Sequence, residues 1–321
     1  MTEERLSHAI MKAQALVRGD RVALICPSGR PASASVVQRC LHLVEEMGFT
    51  PIVGRHVKSI FGPMAGQDAE RLQDLHSALE DESVRGIFCI SGGWGALRLL
   101  PQLNFDQVRK FPKVMVGCDE NTSLLSAINT LTGLVVLHGP NLDQIKSRYS
   151  FKKFVAATTG KEPLDTIKCV DSADDLFERA AYAPVSGIAE GTTAGGNLSA
   201  VSSLFGTPYQ PILKDSILCL EDINEYNGTL DRWLTNIYLS GRLKEVAGIA
   251  FGSFVNCNGK GAENSLPLED TSEEMLKSTN RPSCFGLKFG QTKDTNVVPI
   301  GIKTRLNSQA GTLEFLEPAL I

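Results

Sequence analysis

Three loops hold the residue types that could do chemistry. Ser91–Gly95 (SGGWG) follows an apolar run and precedes a helical pattern, so backbone N–H groups at Gly92 and Gly93 could face a ligand, with Trp94 in the same loop. A tight strand-to-helix turn reads the same way, and the GK[ST] of a phosphate loop is missing. Gly117-Cys118-Asp119-Glu120-Asn121-Thr122 is a second sharp turn from a buried strand into a helix. Such an elbow projects one side chain into the crevice of a sheet beside free helix N–H groups; Asp119 or Asn121 acting only as an N-cap is the simpler alternative. The third loop, Glu221-Asp222-Ile223-Asn224-Glu225, ends the apolar run SILCL, where acidic residues also serve as solvated or dipole-capping groups.

The elements that must position these loops are legible from period. Arg21–Cys26, Gly86–Ile90, Lys113–Gly117 and Leu134–His138 are short, β-branched and closed by Gly, Pro or Ser, as strands are. Helical patterns at Ala34–Met47, Asp68–Glu80 and Thr122–Thr130 alternate with them. Strict alternation predicts a parallel sheet covered on both faces, with ligands at the carboxyl ends of its strands. From Asn141 to Ala183 a charged stretch with helical pieces reads as a connection. The second half resumes with Gly187–Glu190, a Gly-rich turn GTTAGGN, a helix from Leu198, a strand at Ser216–Leu220, a helix at Leu230–Leu239 and a strand at Val246–Phe251. The fold class is therefore α/β: an N-terminal parallel-sheet, flavodoxin-like domain over 1–165, and a mixed α+β or barrel-like domain over 180–321, with a cleft between them.

Composition narrows the partners. With 321 residues and 42% apolar content the chain can bury two cores. A net charge of −4 with scattered Lys and Arg argues against nucleic acid. No apolar run is long enough to span a bilayer, and the charged N-terminus does not suit a secretory signal, so membrane association is not expected and a cytoplasmic location is. Eight cysteines, none in a CxxC spacing and several within apolar runs, read as buried free thiols; neither a metal nor a cofactor is expected. All five histidines precede residue 139.

In order along the chain, these segments resemble the LD-carboxypeptidase family of muropeptide-trimming serine peptidases. GDRVALICPSG is similar to its opening strand and turn, and GIFCISGGWGALRLLPQLNF to its GGxG loop. HGP at His138–Pro140, AGGNLSAVSSLFGTP at Ala194–Pro208 and ILCLEDINEYNGTLDRWLTNIYLSGRLKEVAGIAFGSF at Ile217–Phe254 continue in register. The resemblance implies a homodimer and a Ser-Glu-His triad that removes a terminal D-amino acid across an L,D-peptide bond. Glu221 stands at the glutamate position. A gapless alignment puts Asp119 on the nucleophilic serine, Glu120 on the aspartate that follows it, and Gln291 on the histidine, with Pro299 at the expected spacing. A shifted register would instead make Cys118 the nucleophile. Gln291 cannot accept a proton at neutral pH, and no histidine in the C-terminal half can stand in.

The candidate catalytic residues are thus Asp119, Glu221, Glu120 and Gln291, and the candidate substrate contacts are Gly92, Gly93, Trp94, Cys118 and Asn121. Replacing serine by aspartate and removing the imidazole would leave two carboxyl groups roughly 5–8 Å apart, a separation used by paired acids in glycoside cleavage. The expectation is therefore a repurposed carboxylate-pair glycoside hydrolase or transglycosylase acting on a cell-wall-like saccharide. The alternatives are a non-catalytic protein that binds a muropeptide-like ligand, and the ancestral peptidase activity.

Overall fold

The computed structural model describes residues 9–170, 181–257 and 266–321. The segments 1–8, 171–180 and 258–265 lie outside it, and with them the start of the N-terminal segment and part of the stretch read as a connection.

Along the first half run β1 (Arg21–Ile25), α1 (Ala34–Glu46), β2 (Thr50–Val53), α2 (Asp68–Glu80), β3 (Val84–Cys89), α3 (Phe105–Lys110), β4 (Val114–Gly117), α4 (Asn121–Thr132), β5 (Val136–His138) and α5 (Arg148–Thr159). The second half contains β6 (Ile167–Lys168), β7 (Tyr182–Val185), β8 (Ile188–Asn197), α6 (Leu198–Leu204), β9 (Ser216–Ile223), α7 (Asn227–Leu239), β10 (Gly248–Val255), α8 (Leu268–Thr279) and β11 (Ser283–Phe285). It closes with β12 (Val298–Ile300), β13 (Lys303–Asn307) and β14 (Thr312–Phe315).

The strands form two sheets. The first, ordered β12-β5-β4-β3-β1-β2, is parallel except where β12 returns antiparallel to β5. The second is mixed and eight-stranded, ordered β6-β14-β13-β8-β9-β10-β11-β7, with β8 to β11 parallel. Strand β4 is buried and apolar throughout, and β1 and β3 are so apart from the exposed Arg21 and Arg85 near their starts, because helices cover both faces of a parallel sheet. The larger buried cluster runs from this sheet into the second through Cys219, Ala250 and Phe289. A separate cluster of Leu198, Leu230, Leu234, Phe251 and Leu276 packs α6, α7 and α8 on the second sheet.

One element differs from the expectation in a way that shapes the site. GTTAGGN reads as a turn but forms the second half of the long strand β8. Its glycines mark close backbone approach rather than reversal. A Cβ on Gly195 would stand 2.1 Å from the Cys219 carbonyl oxygen, and one on Gly196 2.6 Å from Thr122 Cγ2 and 3.0 Å from His138 Nδ1. The strand therefore presses its carboxyl end against the first residues of α4 and the end of β5, where the two sheets meet.

All eight cysteines are free thiols and only Cys169 is partly exposed, as composition suggested. No helix among the described residues is long and apolar enough to cross a membrane, and no group of three or more His, Cys, Asp or Glu among them could hold a metal ion.

Candidate active site at the junction of the two sheets

Asp119 sits between β4 and α4 at φ 59, left-handed backbone that few residues other than glycine adopt and that aspartate tolerates comparatively well. It is not the N-cap of α4, which is Glu120, whose own side chain makes no capping hydrogen bond. The Asp119 carboxylate crosses instead to the neighbouring loop, where its Oδ2 accepts the Gly93 N–H at 2.7 Å. Gly92 allows this approach, since a Cβ on it would lie 2.2 Å from Oδ2. Burial raises the Asp119 pKa above the ordinary aspartate value, against the opposing pull of the Gly93 and Glu120 N–H groups.

The other elbow residues take separate roles. The Cys118 side chain is buried beneath the turn, where its Sγ donates to Gln144 Oε1 at 2.9 Å, and desolvation drives the thiol pKa far up. A nucleophilic Cys118, the shifted-register alternative, has no support in this geometry, because a reactive thiol needs access and a stabilised thiolate. Glu120 Oε1 accepts the N–H groups of Gly95 and Leu97, steadying the SGGWG loop. Asn121 is fully buried; it accepts from Ser28 Oγ at 2.8 Å and donates to the Ser91 carbonyl at 3.0 Å and to Asn141 Oδ1 at 3.1 Å. It is a strut among the loops after β1, β3, β4 and β5, with every polar atom committed to the protein. Gly93 and Trp94 are exposed on the rim, Trp94 at 62%.

From the second sheet, β9 delivers Glu221 and Asp222 to opposite partners, as alternation along a strand requires. Asp222 turns to α6, where its carboxylate accepts from Asn197 Nδ2 and the Ser199 N–H, both at 2.9 Å. Glu221, wholly buried, points to the junction. Its Oε2 accepts from Gln291 Nε2 at 3.4 Å, and its Oε1 lies 3.5 Å from His138 Nε2. Desolvation, then repulsion by Asp222 and Asp119, pushes its pKa well above the carboxylate range. Glu221 thus lies close enough to Asp119 for the Asp119 charge to disfavour its ionised form. Gln291 completes a bridge: its Oε1 accepts from Gln144 Nε2 at 2.8 Å, so Cys118, Gln144, Gln291 and Glu221 form one chain of contacts.

Sequence reasoning missed two members of this cluster. His138 enters the sequence reading only within the HGP segment that carries the resemblance, yet β5 brings its ring to 3.5 Å from Glu221. Gln144 carries no motif by itself, and only its reciprocal cap with Asn141 marks it.

A family profile described as the LD-carboxypeptidase N-terminal domain matches residues 22–139, and its C-terminal counterpart matches residues 190–306. The chain belongs to the LD-carboxypeptidase family. A probable murein peptide carboxypeptidase of Bacillus subtilis is 34% identical over 94% of this chain and 93% of its own length. The murein tetrapeptide carboxypeptidase of Pseudomonas aeruginosa is 30% identical over 88% and 91%. Among solved structures, an MccF-like protein from Bacillus anthracis superposes with a TM-score of 0.82 at 29% identity, covering 96% of this chain and 99% of that one.

These relatives correct the expectation of a glycoside hydrolase or transglycosylase: the proteins that this LD-carboxypeptidase-family chain matches from end to end are named for cleaving peptides. The physical reason is that carboxyl spacing does not select a bond. A pair of acids can protonate a glycosidic oxygen or activate water toward an amide, and the cleft around them decides which is presented. At the level of enzyme class this LD-carboxypeptidase relative is a hydrolase.

Fluorophosphonate probes report an activated serine, and here the elbow tip is Asp119 and position 291 is a glutamine, which has no imidazole. The intact chain is expected to remain unlabelled in a gel assay that labels a serine peptidase run in parallel. Specific labelling within residues 117–122 would overturn the placement of Asp119 at the elbow tip.

Proposed function

We propose that this LD-carboxypeptidase-family chain is a carboxypeptidase acting on murein-type peptides, releasing a C-terminal residue by water attack assisted by two carboxyl groups rather than by a serine triad. What supports it most is the presence of two carboxyl groups in unlike settings: Asp119, on a left-handed elbow beside the exposed Gly93 and Trp94, and wholly buried Glu221, on which the Asp119 charge acts. Ionised Asp119 takes a proton from water as the water oxygen bonds to the scissile carbonyl carbon. Protonated Glu221 gives its proton to the departing amine as the C–N bond breaks. The products are a carboxylic acid and an amine, and the proton on Asp119 restores Glu221 before the next cycle. Two carboxyl groups with separated pKa values suit such divided roles.

Incubation with a murein tetrapeptide, followed by mass spectrometry, is expected to show loss of the terminal D-residue while oligosaccharides in the same panel stay intact. A second reading, binding without turnover, is favoured by one feature: the Asp119 carboxylate itself takes the Gly93 N–H. Calorimetric binding of the tetrapeptide with no product after prolonged incubation would establish that reading in place of the first.

A further inference from the structure

His138 closes β5 and is 3% exposed. Apart from their mutual approach at 3.5 Å, neither of its ring nitrogens nor Glu221 Oε1 has a hydrogen-bond partner among the described residues. Chance burial does not account well for this, because polar atoms shut away from water without partners are costly and rare. The ring is also held in place. Gly196 approaches from β8 with only the room that its missing Cβ provides, Thr122 stands beside it, and the Gly139 N–H following it bonds to the Gly117 carbonyl at 3.2 Å.

A neutral imidazole has one N–H and one lone pair. With the proton on Nε2, the ring turns a donor toward Glu221 Oε1, the oxygen opposite the one that Gln291 reaches. We propose that His138 is a positioning residue for hydrolysis, its Nε2 and Glu221 Oε1 forming a hydrogen-bonded pair that sets when Glu221 holds and when it releases its proton. The inference rests on the reading above in which Glu221 is the proton donor.

The electrostatic setting agrees. Burial pushes His138 down to about 4, so the ring is a neutral donor at the pH where Asp119 works. The groups facing Glu221 are Asp222 beside it on β9, Asp119 from the elbow, the Gln291 amide, the Asn197 amide from β8, and the Cys118 and Cys257 thiols. Both carboxylates disfavour the ionised form of Glu221. The imidazole N–H favours it, and so brings the proton within reach of the leaving amine.

The first test needs no substrate and therefore stands apart from the success or failure of the peptidase reading. In the intact protein labelled with ¹⁵N-histidine, the His138 resonance, assigned by its loss in His138→Gln, should carry its proton on Nε2 and shift as Glu221 titrates. In Glu221→Gln that titration should vanish. An unchanged His138 profile in the two proteins would overturn the proposal. Where turnover is measurable, His138→Leu is expected to lower kcat about 10–100-fold with KM within about threefold, and to move the alkaline limb of the rate profile upward by about one pH unit. His138→Gln, which retains an N–H donor, should recover part of both. A His138→Leu enzyme with the parental kcat and limb would show that the ring only fills space.

Discussion

Asp119→Asn is expected to reduce kcat on a murein tetrapeptide by about 10²–10⁴-fold, the range that a positioned general base contributes, with little change in KM. The asparagine can still accept the Gly93 N–H through its amide oxygen, so the elbow is retained and only proton acceptance is lost. Glu221→Gln should be comparably inactive. The parental rate should be bell-shaped in pH. The acid limb follows ionisation of Asp119, raised above the ordinary aspartate value by burial, and the alkaline limb follows loss of the Glu221 proton, which is held well above the glutamate range. The Asn variant should retain no acid limb of this origin.

The fold provides the control. Glu221 has a folded-state pKa above its unfolded one, so its contribution to stability is full below the unfolded value, near pH 4.5, and is lost as pH rises toward the folded value. Glu221→Gln should therefore be at least as stable as the parent at neutral pH, with the advantage disappearing toward about pH 4. An active Asp119→Asn, Glu221→Gln double variant would sink the two-carboxylate mechanism.

The second large effect concerns Arg71. Its side chain leaves α2 and is 1% exposed, among the most buried large side chains in the chain. The guanidinium donates from Nη1 to the Pro27 carbonyl at 2.6 Å and to the Gly95 carbonyl at 2.8 Å, and pairs through Nη2 with Asp68. It thus ties the turn after β1 to the loop that carries Gly92 and Gly93. Desolvation pulls its pKa down, but this group stays charged at any working pH. Arg71→Met conserves most of the volume and strands two buried carbonyls, so a loss of about 3–5 kcal/mol in urea unfolding is expected. Arg71→Lys should not recover it, since a point charge cannot span both carbonyls and Asp68. A loss under about 1 kcal/mol would mean that the loops hold their positions without it.

Much of the framework was legible because its signals are local. Asp68–Glu80 reads as a helix from period alone, and the strand VMVG followed by a polar helix start marks the Asp119 elbow without reference to anything distant. The Gly-rich end of β8 was misread because glycine signals a turn and a tight strand contact with the same letters. What separates them is the carbonyl of Cys219 and the methyl of Thr122, supplied by other segments. Several strands are expected after Phe251 from sequence, but β12 has no bounds or partner there for a related reason: at three residues it has too little pattern to place, and its partner is the edge offered by β5.

For this LD-carboxypeptidase relative, sequence alone determined the family, the alternating first half, and the residue identities on which the site reading turns: an aspartate at 119 and a glutamine at 291. These are properties of residue identity and short-range order, which one dimension records. Tertiary structure decided where Asp119 points, since whether its carboxylate caps α4 or crosses to Gly93 depends on a loop 26 residues away. It also decided that His138, separated from Glu221 by 83 positions, stands 3.5 Å from it. Proton affinity at such a site follows from burial and from neighbours brought by other strands, and those distances exist only once the two sheets have met.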